Sequence, residues 1–233
     1  MSYSIEPIGI IRSPYKEKFA VPRQPGVVPS ACSEIILQGS ANTIEAVRGI
    51  EQFSHLWLLF LFDQNLEAGW RPTVRPPRLG GNERIGVFAS RATFRPNGIG
   101  MSAVELKGIR QKGSDIIIEL GGVDLVDGTP IIDIKPYVPY SDSLPQALGG
   151  FAADEPETLP VVFTDTALEQ LKMDDNAYQQ TVISEVLAQD PRPAYKKNKI
   201  DTKEYAVHLF NFNVKFTVQD GLVTVTTIET TVE

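Results

Sequence analysis

Between Gly69 and Gly100 the chain carries six arginines, four prolines and six glycines in 32 residues, with Glu83 the only acid. Proline removes backbone donors and glycine is costly in regular structure, so this segment cannot be a continuous helix. Arg71, Arg75, Arg78, Arg84, Arg91 and Arg95 concentrate positive charge on stiff, irregular backbone. Planar guanidinium forks held this way suit carboxylates, phosphates and nucleotides. Four other clusters have residue types that fit the same chemistry. Phe19–Gly26 sets Arg23 and Gln24 between Pro22 and Pro25, presenting a bidentate donor and an amide at low ordering cost. Asp63 and Gln64 end an apolar run. Asp124-Leu125-Val126-Asp127-Gly128-Thr129-Pro130 places two acids in a turn, and Met101 follows the Arg95–Gly100 stretch. Asp190-Pro191-Arg192-Pro193-Ala194-Tyr195 leads into Lys196 and Lys197, where cations and an aromatic ring could contact RNA phosphate and stack on a base. Taken singly, Asp127-Gly128 is an ordinary turn signal and Asp63-Gln64 an ordinary strand end.

These groups need a scaffold, and the first 140 residues read as strand-rich. Ser4–Ile11, Glu34–Leu37, Leu56–Phe62, Gly86–Ser90, Ser102–Ile109, Asp115–Leu120 and Ile131–Ile134 are short apolar stretches bounded by turn residues,. Asn42–Gly49 alone reads as a helix there, with Asn42 as N-cap and Gly49 as stop. Many short strands with Gly/Pro turns favour a closed barrel over a parallel βαβ sheet. No G-x-G-x-x-G follows a strand and opens a helix, which argues against a Rossmann site. After Tyr140 the composition shifts, and Ser141–Pro160 reads as a linker or surface excursion. A strand at Val161–Thr164, helices at Ala167–Lys172 and Tyr178–Gln189, and strands at Tyr205–Val218 and Leu222–Ile228 complete the chain. Asp220-Gly221 is a hairpin signal between the last two. The fold expected is mainly β with an α+β tail: a barrel over residues 1–140 and a small α+β unit over 141–233.

Bulk properties narrow the class. The 233 residues have 42% hydrophobic and 22% charged side chains, ordinary for a globular protein with a proper core. The run Leu56–Phe62 is too short to span a bilayer, and the N-terminus lacks a signal-peptide pattern. Cys32 is the single cysteine and His55 and His208 the only histidines, which rules out a Cys-cluster or all-histidine zinc site. A cytoplasmic protein without a structural metal or membrane contact is expected. The net charge of −7 does not exclude nucleic acid, because acids gather between Asp142 and Asp190 while bases gather elsewhere.

The strings IGIIRSPYKEKFAVPRQPG (Ile8–Gly26), GWRPTVRPPRLGGNERIGVFASRATFRPNGIGMS (Gly69–Ser102), DLVDGTPIIDIKPYVPY (Asp124–Tyr140) and LAQDPRPAYK (Leu187–Lys196) resemble the TsaA-like family, whose bacterial members are the TrmO proteins. The resemblance implies a β-barrel homodimer, with cofactor near the subunit interface. It also implies methyl transfer from S-adenosylmethionine to N6 of threonylcarbamoyladenosine at position 37 of tRNA. By matching string, Pro22, Arg23, Gln24, Asp63, Gln64, Arg91, Met101 and Asp124 to Asp127 (with Leu125 and Val126) would hold the cofactor. Arg192, Tyr195, Lys196 and Lys197 would touch tRNA. Two positions depart from the family pattern: Asp63 stands where members carry His, and Gly98 where they carry Pro. The latter implies a looser loop before Met101. Sequence leaves any general base open among Asp63, Asp124, Asp127, Asp133 and Tyr195. A non-catalytic binder of S-adenosylmethionine or a nucleotide, and a plain RNA-binding module, remain the alternatives.

Overall fold

The computed structural model describes residues 3–172, 177–193, 196 and 202–231. Six antiparallel strands make the larger sheet: β1 (Gly9–Arg12), β2 (Cys32–Leu37), β3 (His55–Leu61), β6 (Ile99–Lys112), β7 (Asp115–Gly121) and β8 (Pro130–Pro136). Their order is β1-β2-β7-β6-β3-β8, and β8 returns to β1 through Gly9↔Ile131 and Ile10↔Pro130, which closes a barrel. Period-2 alternation makes closure possible, since every second side chain points inward. Ile11, Ile35, Leu56, Leu58, Leu120 and Ile131 are fully buried in this way. The 14-residue strand β6 bridges two neighbours, pairing with β3 through Ile99–Glu105 and with β7 from Glu105 onward, with an irregularity between Leu106 and Gly108. That bulge bends the strand around the barrel wall.

Between β3 and β6 the chain leaves the barrel through a short helix, α1 (Asp63–Leu66), and a two-residue ribbon, β4 (Thr73–Val74) against β5 (Ile85–Gly86). A second short helix, α2 (Pro139–Asp142), follows β8. The tail holds β9 (Val161–Phe163), α3 (Asp165–Lys172), α4 (Ala177–Ala188), β10 (Tyr205–Leu209), β11 (Phe212–Gln219) and β12 (Leu222–Thr230). Its sheet order is β10-β11-β12-β9, with β9 parallel to β12. Asp220 and Gly221 both take positive φ in the β11–β12 turn, as a tight hairpin requires. Tail and barrel share one continuous buried apolar cluster. Glu185 on α4 accepts from the Ser30 N–H at 3.0 Å and the Ser30 hydroxyl at 2.7 Å. The Phe210 N–H donates to the Pro14 carbonyl at 2.7 Å.

The mainly β reading with an α+β tail holds, and four local expectations change. Residues 42–49 form turns rather than a helix. The reason is Asn42, whose amide does not cap: it donates to the Ser114 carbonyl at 3.1 Å and accepts from the Ile116 N–H at 2.8 Å, bracing the β6–β7 hairpin. Of the 86–90 stretch only Gly86 pairs as strand, opposite Thr73; the next position across the ribbon is Pro72, which has no N–H to donate, and Val87–Ala89 turns into a 3-10 helix,. The first strand is confined to Gly9–Arg12. The expected Tyr205–Val218 strand splits at Phe210, whose φ of 56° turns the chain without a Gly or Pro to announce it.

Candidate functional site

The loop Phe19–Gly26 lies across the end of β7. The Gly26 N–H donates to the Gly122 carbonyl at 2.7 Å, and the Gly122 N–H donates to the Ala31 carbonyl at 2.9 Å. This seats Gln24 where its side-chain oxygen accepts from the Arg91 guanidinium. Arg91 in turn faces Asp124, just past β7, whose Oδ1 is buried without a hydrogen-bond partner. Burial pushes the Asp124 carboxyl up to about 6, while the Ser102 hydroxyl, its own backbone N–H and the Arg91 charge pull the other way. A buried acceptor that receives no hydrogen bond is costly to a fold and is a common mark of a ligand site. Gln24, Arg91 and Asp124 come from three distant segments, and the fold brings them together.

The other expected residues fall around this cluster rather than into one cavity. Pro22 and Arg23 line a small hollow of about 140 Å³ with Lys18, Phe19, Val186 and Pro191. Pro22 is buried and Arg23 exposed. The Arg23 guanidinium is held below its ordinary value by lost hydration and by Arg78, with Asp190 opposing. Asp63 and Gln64 are exposed on α1. Lys18 ties that helix to the Phe19–Gly26 loop, donating to the Asn65 side chain at 2.9 Å and the Gln64 carbonyl at 3.3 Å. Met101, paired with Leu59 on β3, is exposed.

Asp127 is placed differently. Its carboxylate accepts from the Ser13 N–H at 3.0 Å and from Lys16 at 2.8 Å. It lines a separate groove of about 750 Å³ with Arg12, Cys32, Tyr178 and Phe210, away from Gln24, Arg91 and Asp124. Leu125 is buried, and its carbonyl accepts from the Ser13 hydroxyl at 2.8 Å. The Val126 carbonyl accepts from the Thr129 hydroxyl at 2.7 Å. Asp133 pairs with Lys135 at 2.7 Å and accepts from the Ile134 N–H. Arg95, from the same arginine segment, donates to the Ser90 carbonyl at 2.7 Å and so braces its own loop.

Arg192 corrects the expected RNA contact. Its guanidinium is 4% exposed and clamps Asp190 through two bonds of 2.8 and 3.0 Å, so it is not presented to a phosphate. Lys196 is half-buried, and its N–H donates to the Pro193 carbonyl. Tyr195 and Lys197 lie outside the described residues. Ser102 was not anticipated. It is buried on the inward face of β6 beside Asp124, and a hydroxyl at an inward period-2 position between Gly100 and Val104 is the signal that marks it.

Gly98 explains how the loop before Met101 is held. Its φ is +61°, its N–H donates to the Arg95 carbonyl at 3.1 Å, and its carbonyl accepts from the Phe62 N–H at 2.7 Å. A proline could supply neither that dihedral nor the N–H. Far from loosening the loop, Gly98 lets it close onto the end of β3.

The model for the tRNA-methyltransferase O N-terminal domain matches residues 10–143, and that for the TrmO C-terminal domain matches residues 156–231. Over 223 residues the chain is 56% identical to the tRNA (adenine(37)-N6)-methyltransferase of Escherichia coli K12, covering 94% of this chain and 95% of that one. It is 48% identical over 217 residues to a Pseudomonas aeruginosa protein named putative S-adenosylmethionine-dependent methyltransferase RcsF, covering 92% of each. The crystal structure of TrmO from Pseudomonas aeruginosa superposes with a TM-score of 0.81 at 38% identity, over 98% of this chain and 99% of that chain. With both parts of the chain matched, in sequence and in fold, it belongs to the tRNA-methyltransferase O family.

Proposed function

We propose that this protein is an S-adenosylmethionine-dependent tRNA methyltransferase that methylates N6 of threonylcarbamoyladenosine at position 37. The observation that carries the reading is the Gln24–Arg91–Asp124 cluster, with its buried and unpartnered carboxylate oxygen, in a chain of this family. The residues fit the cofactor chemically. Arg91 suits a carboxylate, the Gln24 amide can donate as well as accept, and Asp124 Oδ1 is an acceptor awaiting an N–H or O–H. Pro22, Arg23, Asp63, Gln64, Met101 and the Leu125–Asp127 backbone complete the proposed binding set.

When bound, S-adenosylmethionine supplies an electrophilic methyl group on a sulfonium sulfur. The chain's own residues then act mainly by positioning. Loops stiffened by Pro22, Pro25 and Pro96 hold the donors of the site without ordering cost at the moment of reaction, which is where several kcal/mol of a transfer barrier can be met. The carbamoylated N6 is amide-like, so loss of its proton favours attack. Asp127 and Asp133 are committed to Lys16 and Lys135, and Asp63 is exposed. Asp124 alone among these carboxylates keeps a buried oxygen uncommitted.

The reading includes a homodimer. Phe19, Leu66 and Met101 are exposed apolar side chains on the segments that carry the site, and a second copy would cover them. It also treats residues 1–140 as the cofactor-holding unit and 141–233 as a unit docked on it. It sets the protein in the cytoplasm; among the described residues no helix is long and apolar enough to cross a membrane. Calorimetric titration of S-adenosylmethionine tests the site: Arg91→Ala is expected to abolish the binding heat seen with the parent protein. Unchanged affinity would refute the role given to Arg91.

A further inference from the structure

Arg192 is buried, so the tail's most prominent arginine cannot be the RNA contact, and the basic surface has to be sought elsewhere. The excursion between α1 and β6 carries uncommitted positive charge. Within it Arg71 stacks over the Phe94 ring at 4.9 Å, Arg78 donates to the Asp154 carbonyl, Arg91 to Gln24 and Arg95 to Ser90. Arg75 and Arg84 are exposed and make no ion pair or hydrogen bond among the described residues.

Their placement is unusual. The β4–β5 ribbon pairs Thr73↔Gly86 and Val74↔Ile85, so Arg75 and Arg84 occupy the next register position, one on each side of the hairpin. Like charges facing each other across a ribbon are destabilising. A protein keeps such a pair at a cost unless an anion sits between or beside them. The same arm presents two large rings to solvent: Trp70 is 52% exposed and Phe88 76% exposed. Two guanidinium groups flanked by exposed aromatic rings match the chemistry of an unpaired RNA loop, whose phosphates take the charge and whose splayed bases take the rings.

We propose that the arm from Trp70 to Phe88 is the RNA-docking surface of this protein. In it Arg75 and Arg84 grip the phosphodiester backbone of the anticodon loop, and Trp70 and Phe88 stack on unpaired bases. The inference rests on the tRNA reading above for the identity of the RNA, but not on the cofactor site. It places the docking surface on the polypeptide that runs directly into Arg91, so substrate and site share one segment.

The test is binding of full-length tRNA carrying threonylcarbamoyladenosine across a series of salt concentrations, using the intact chain. Each phosphate contact contributes a slope of about 0.7 in log affinity against log salt for single-stranded RNA, so Arg75→Ala/Arg84→Ala is expected to flatten the slope by about 1.4. Trp70→Ala and Phe88→Ala are each expected to weaken binding about fivefold or more with the slope intact. Calorimetric affinity for S-adenosylmethionine stays at the parent value in all of them. Arg75→Lys/Arg84→Lys, which keeps the charge, restores the slope and guards against a folding artefact. Unchanged tRNA affinity and slope in the alanine variants would overturn the proposal. So would a loss of affinity that tracks a halving of molecular mass, since the arm would then be an interface between copies. If the parent protein transfers no methyl group yet its RNA affinity depends on Arg75 and Arg84 as stated, the docking surface stands and the methyltransferase reading falls.

Discussion

At Asp124 the fold keeps a carboxyl oxygen buried and without a partner while Arg91 and Ser102 only partly offset the burial. That arrangement has a measurable sign. The carboxyl titrates at 3.8 in the unfolded chain and at about 6 in the fold, so folding favours its protonated form. Its stabilising contribution is full below pH 3.8 and is lost as pH rises through about 6. The gap corresponds to at most about 3 kcal/mol at pH 7. Asp124→Asn is therefore expected to raise the urea midpoint of the ligand-free protein at pH 7, with the advantage over the parent shrinking towards pH 4. It is also expected to lose affinity for S-adenosylmethionine. An equal midpoint at both pH values would contradict the burial of this carboxylate. In the parent, affinity for S-adenosylmethionine should fall as pH drops below about 6, because the acceptor is then protonated.

The elements show what the sequence could and could not reveal. β3, β7 and β8 were legible as short apolar runs bounded by turn signals, and residues within them such as Leu56, Leu58, Leu120 and Ile131 are fully buried,. The 42–49 turn was not, since nothing local to Asn42 reveals that its amide will reach Ser114 and Ile116, more than 70 positions away. The break at Phe210 was hidden for the same reason: the Phe210 N–H is taken by the Pro14 carbonyl across the barrel–tail junction. Of the candidate site, residue types marked Gln24, Arg91 and Asp124 as chemistry-bearing, and family resemblance grouped them. Only the tertiary structure shows that Asp127 points into another groove and that Arg192 is clamped to Asp190. Gly98→Pro is expected to destabilise the chain by more than about 1 kcal/mol, because it forbids φ +61° and deletes the bond to Arg95,. An unchanged unfolding midpoint would show that the loop adopts another conformation.

At the scale of the whole molecule, barrel and tail are not separable parts. Glu185 on α4 receives both the N–H and the hydroxyl of Ser30, and the Tyr178 hydroxyl receives the Cys32 N–H at 2.9 Å. Tyr15 lies fully buried in the apolar cluster common to both, with burial raising its phenol well above the usual value. A shared core of this kind predicts a single cooperative unfolding transition. Glu185→Ala leaves two donors of Ser30 without their acceptor and is expected to cost about 1–3 kcal/mol. It should lower the whole transition rather than release the tail alone, whereas a separate early transition of the tail would contradict the shared core. Methyl transfer at the Gln24–Arg91–Asp124 cluster is measured directly as label from S-adenosylmethionine appearing in tRNA that carries threonylcarbamoyladenosine. The parent protein is predicted to place the label on N6 of that nucleoside and Arg91→Ala to place none. Tight binding of S-adenosylmethionine by the parent with no label in the tRNA would contradict it.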